Sequence, residues 1–74
     1  NPTSGSVLVS LNAARRLTGS IQVIDVNGKS MQEQPINVLG RADFTLNLEQ
    51  FTAGLYTILL RTNEGFASKI ISKE

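Results

Sequence analysis

Short runs in which apolar and polar residues alternate, each closed by Gly, Asn or Pro, recur along this 74-residue chain. A period of two suits a half-buried strand and does not suit a helix. Val7, Val9 and Leu11 share one face with Ser6 and Ser10 on the other, and Leu8 is the one apolar residue out of phase. Ile21 and Val23 face one way and Ile24 and Val26 the other, as in a central strand. Phe44, Leu46 and Leu48 alternate with Thr45 and Asn47, and Tyr56, Ile58 and Leu60 resume the pattern. In the last run, Phe66 to about Ser72, either face could point inward. Six or seven such runs predict an all-β fold: a small immunoglobulin-like antiparallel β-sandwich of about seven short strands, with a small open barrel as the alternative.

The punctuation between the runs carries its own geometry. Asn27-Gly28 supplies positive φ at least cost, which predicts a tight type I′ hairpin, with Asp25 stabilising the turn. The returning stretch, Lys29 to Gln34, is polar apart from Met31, and Pro35 has no N–H to donate, so it reads as an edge strand. Ala13-Ala14-Arg15-Arg16 are good helix formers, but Asn12 to Leu17 is too short for a helix and is expected to be a loop. Glu49 to Gly54 predicts a turn or one 3₁₀ turn, with Phe51 plugging the end of the core and Gly54 at the bend. Asn63-Glu64-Gly65 predicts a three-residue hairpin loop with a bulge at the glycine.

Size makes the core decisive. The chain reads as one domain, 1–74, and so small a domain buries only about 60% of the surface its unfolded chain exposes. With no Cys and no His there is neither a disulfide nor a tetrahedral zinc site to staple it. The longest mostly apolar stretch, Leu55 to Leu60, is far below the ~20 residues of a membrane-spanning helix. A net charge of +1, with both signs interspersed, favours neither nucleic acid nor anionic lipid as a partner. The opening Asn1-Pro2-Thr3-Ser4-Gly5 has no basic or apolar region of a signal peptide, so the chain is expected to be a piece of a longer polypeptide.

The same residues argue against catalysis and cofactors. Without His or Cys the common activating pairs for a nucleophile are missing, and Ser68 and Lys69, adjacent in a strand, point to opposite faces. The six acids fall on turns, strand edges and the C-terminus, which is unsuited to a carboxylate pair. No calcium loop surrounds Asp25, and no glycine cluster forms a phosphate cradle. Tyr56 is expected in the core with its hydroxyl tied to backbone. Lys69 and Lys73, four apart, share one strand face, either as solubilising charge or as a readable surface.

Read in order, Asn1-Pro2-Thr3-Ser4-Gly5, Val23-Ile24-Asp25-Val26-Asn27-Gly28-Lys29, Leu46-Asn47-Leu48, Ala53-Gly54-Leu55-Tyr56-Thr57-Ile58 and Lys69-Ile70-Ile71 form five ordered blocks. Together they resemble the type A C-terminal sorting domain of the type IX secretion system of the Bacteroidota. The resemblance implies a non-catalytic export tag at the end of a secreted cargo protein. By it, the tag reaches the periplasm with its cargo, is recognised by the outer-membrane translocon and a shuttle protein, and is removed by a sortase-like protease. The cargo ends at the cell surface or in the medium, and no cofactor, nucleic acid or small-molecule substrate is implied. Carried over by position, Asn1, Pro2 and Gly5 match the opening motif, Asp25, Asn27, Gly28 and Lys29 the hairpin motif, Gly54 and Tyr56 the Gly-x-Tyr motif, and Lys69 the terminal basic strand. Asn1, Lys29, Lys69 and Lys73 are the candidate recognition residues; Pro2, Gly5, Asp25, Asn27, Gly28, Gly54 and Tyr56 have structural reasons to be there. Arg15-Arg16 and Glu74 depart from the family pattern. The competing reading is a structural or adhesive immunoglobulin-like module of a cell-surface or secreted protein.

Overall fold

The computed structural model describes residues 5–74 in full and, of the preceding residues, the backbone of Pro2 and Thr3. The chain is all-β. Its strands are β1 (Pro2–Thr3), β2 (Ser6–Ile24), β3 (Ser30–Asn47), β4 (Gly54–Thr62) and β5 (Gly65–Lys73). They form a single sheet in the order β1-β5-β4-β2-β3, antiparallel throughout except for the short parallel pairing of β1 with β5. Among the described residues, five strands thus replace the expected seven or so, because two of them, of 19 and 18 residues, run without a break through positions expected to separate shorter ones.

The stretch expected to be a loop, Asn12 to Leu17, lies within β2. Strand pairing on either side of it overrides the local preference of its Ala and Arg residues. Ala13 pairs with Gly40 and Leu17 with Val38, so Ala14, Arg15 and Arg16 stand opposite Leu39 alone. Extra residues on one strand of a ladder bend it and increase its twist. The bulge preserves facing: Val7, Val9, Ile21 and Val23 of β2 pair with Leu46, Phe44, Gln34 and Gln32 of β3, all on one side of the ladder.

That side closes on itself. Val7 and Val9, from the first half of β2, line a common groove with Ile58 and Leu60 of β4 and Ile71 of β5, strands to which that half of β2 is not hydrogen-bonded. One core results, containing Ile21, Val23, Ile36, Val38, Leu46, Leu48, Tyr56, Ile58 and Ile71. Val23 and Leu48 are 0% exposed, which a sheet open on that face could not achieve. Each such side chain contributes about 2 kcal/mol by leaving water. Leu8, out of phase, is 63% exposed.

Several local expectations hold. The second half of β2 is central, paired with β3 and β4, and β3 is an edge strand. Val26 differs: it lies in the turn and is exposed. The Asn63 hairpin is also tighter than expected, since Thr62 pairs with Gly65 and only Asn63 and Glu64 lie between them. The Thr62 side chain closes it, accepting from Glu64 N–H at 3.1 Å and donating to the Gly65 carbonyl at 3.2 Å.

At Gly19 the β4 backbone leaves no room for a side chain on β2. Gly19 pairs with Thr62, and a Cβ there would overlap the Arg61 carbonyl oxygen, a backbone atom that cannot rotate away. We predict that Gly19→Ala costs about 3 kcal/mol or more through overpacking and strain. For a domain of this size the effect would appear as a large drop in the thermal midpoint followed by circular dichroism, whereas Thr18→Ala at the adjacent exposed position should change stability by no more than about 0.5 kcal/mol.

Candidate recognition surface

The cross-strand registers gather most of the sequence blocks at one end of the sheet. Ser30, Ile24, Thr57 and Ile70 form a row across β3, β2, β4 and β5. Beyond that row lie the Asp25–Lys29 turn, Gly54, Tyr56 and the end of β5, where Gly54 pairs with Lys73 and β1 pairs with Ser72 and Lys73. Gly5 joins the same end, its carbonyl accepting from Leu48 N–H at 2.7 Å. The bulge with Arg15 and Arg16, and the Asn63 turn, lie at the other end.

Each motif residue has a describable local task. Asp25 Oδ1 accepts from the N–H groups of Asn27 and Lys29, both at 2.9 Å, and the Asp25 carbonyl accepts from Gly28 N–H at 3.0 Å. Asp25 is therefore the turn-stabilising residue expected of it. The turn is not type I′, however. Gly28 has φ 84°, while Val26 and Asn27 do not have positive φ. The geometry is a type I-like turn followed by a left-handed glycine, which shifts the register between Val23 and Ile24.

Tyr56 is buried, and its hydroxyl donates to the Thr52 carbonyl at 2.7 Å. Its ring packs against Phe51, with centroids 5.5 Å apart. Phe51 N–H donates to the Leu48 carbonyl at 3.0 Å, so the stretch from Glu49 turns as expected, and the aromatic pair closes it.

The candidate recognition residues do not form one site. Lys29 is exposed at the hairpin tip, on the β3 side of the sheet. Lys69 is exposed on β5, two strands away from β2, and lines the groove. Lys73 shares the inward face of β5 with Lys69 but is only 8% exposed, and its Nζ donates to the Glu74 backbone oxygen at 3.0 Å. Asn1 lies outside the described residues, as does the Pro2 side chain. The register also settles the orientation that the sequence pattern left open: Ile71 points into the core, whereas Ile70 and Phe66 are 63% and 79% exposed.

Asn63 went unrecognised as a key contact. Its N–H donates to the Thr18 carbonyl at 3.0 Å and its Oδ1 accepts from Thr18 N–H at 2.9 Å, while Nδ2 donates to the Arg16 carbonyl at 3.3 Å. It thereby clamps the bent part of β2 to the β4–β5 turn. Only its place in a turn was visible in the sequence.

A family model described as a secretion system C-terminal sorting domain matches residues 1–73. The chain belongs to that family, the C-terminal sorting domains of type IX secretion. The sorting domain is a C-terminal signal for export by that system. No curated protein and no solved structure matches it. Within the sorting domain, Asp25 should be worth more to stability than Lys69. Asp25→Ala removes an acceptor from two backbone donors and is expected to cost about 1–2 kcal/mol, against less than about 0.5 kcal/mol for Lys69→Ala, in urea denaturation of the two variants.

Proposed function

We propose that the folded domain is read as an address at the outer membrane, with Lys69 and Lys29 as contacts for the translocon and shuttle protein. The family match over residues 1–73 carries this reading. It is supported by the collection of the family's sequence blocks at one end of the sheet, which gives a receptor a compact surface rather than a linear peptide. In this reading the domain crosses into the periplasm behind its cargo, is substrate rather than catalyst, and is cut off by a sortase-like protease as the cargo reaches the surface or the medium. Asn1 and Pro2 belong to the region nearest that cut. Lys73, buried on the inward face of β5, acts on recognition through the packing of that strand.

We infer also that the bent sheet serves as a sandwich of immunoglobulin-like plan. Divided at the bulge, β2 and β3 give two segments each, and with β1, β4 and β5 the segments number about seven. The exposed apolar side chains Phe66, Ile70 and Leu55 on the outer face of β4 and β5 are what an adhesive module would use, but the family match places the weight on export.

The test is a fusion of residues 1–74 behind a signal peptide and a fluorescent reporter in a host with type IX secretion, compared with a strain lacking the system. Surface or medium fluorescence should depend on the system. Lys69→Ala should lower it about tenfold while the domain stays folded; equal fluorescence in the two strains would remove the address function.

A further inference from the structure

β5 is hydrogen-bonded along one side to β4, but among the described residues its other side carries β1 only at Ser72 and Lys73. Among the described residues, the outward backbone groups of β5 from Gly65 to Ile70 form an open edge, and such an edge templates a further strand. Beside it runs the groove of about 450 Å³, walled by Val7, Val9, Ile58, Leu60, Lys69 and Ile71.

The pairing of β1 says what covers this edge. Each β1 residue faces the β5 residue seventy positions later, and the two strands run in the same direction. A chain followed backward from β1 therefore travels along β5 toward the Asn63 turn. We propose that the segment of the cargo-bearing protein immediately before Asn1 continues β1 as a parallel strand on the open edge of β5. This inference rests on the reading that a cargo precedes the domain.

The register fixes the details. The residue just before Asn1 falls opposite Ile70, and the residues two and four places before Asn1 fall opposite Lys69 and Ala67, whose side chains line the groove. Those two upstream side chains enter the groove and roof it, and apolar or small residues suit them, with an acid tolerated near Lys69. About five residues reach Phe66, a length of roughly 16 Å. Paired in this way, the segment is held extended and its backbone groups are engaged. The connection to the cargo then leaves the domain near the Asn63 turn, at the end away from the motif residues.

The test compares the full cargo-bearing protein with a variant carrying proline at alternate positions of the five residues before Asn1, by amide hydrogen exchange over residues 66–71. Proline removes the donors a parallel ladder needs without touching the domain. The β5 amides that face away from β4 should exchange about tenfold faster in the proline variant, while those facing β4 stay unchanged. Equal exchange in both proteins would overturn the proposal, and so would protection that rises with protein concentration, which would assign the edge to a second copy. Export of the reporter fusion is read separately: export with no difference in exchange defeats this inference alone, whereas loss of system-dependent export defeats the reading beneath it.

Discussion

The bulge in β2 is the feature on which the rest depends. A ladder of 19 and 18 residues with most of its large apolar groups on one side would, if flat, leave that side to water. Placing Ala14, Arg15 and Arg16 against Leu39 alone lets the hairpin bend without moving any residue to the wrong face. One long hairpin thereby supplies both walls of a core that a 74-residue chain without Cys or His must obtain from packing alone. Gly19 and Asn63 serve the same bend from opposite directions. The first lets the β4 backbone approach, and the second ties the curved part of β2 to the β4–β5 turn.

Closure also explains the arrangement of the sorting motifs. Blocks far apart in sequence sit where strands begin and end, because turns impose the strictest backbone demands. The fold then brings those turns to one end. Asp25 and Tyr56 are occupied with internal hydrogen bonds. Their place in the motifs follows from the turns and packing they hold, while Lys29 and Lys69 stay exposed.

The parts of the fold governed by alternation were legible in the sequence: the inward faces around Val7, Ile21, Leu46 and Tyr56, the stray Leu8, the central character of β2 and the edge character of β3. Parts set by tertiary pairing were not. Helix-forming Ala13 to Arg16 gave no sign of a strand, since its conformation comes from β3 alongside. Asn27-Gly28 suggested one turn type, and a single left-handed Gly28 after a type I-like turn satisfied the hairpin instead. The burial of Lys73 could not be read either, because it depends on Gly54 across the ladder and on β1, more than sixty residues earlier. The family blocks were legible in order and spacing. That they meet at one end, and that Lys29 and Lys69 do not, needed the registers.

The central claim is that the export address is a property of the folded, bent sheet. The direct measurement is secretion of a reporter carrying either the native domain or the Gly19→Ala domain, in a type IX-competent host, at a temperature where only the native domain is folded, with intact reporter inside the envelope quantified in parallel. The account predicts that the Gly19→Ala fusion accumulates intact behind the outer membrane while the native fusion is exported. Export of both at the same rate would mean that the machinery reads a linear segment, and would contradict it.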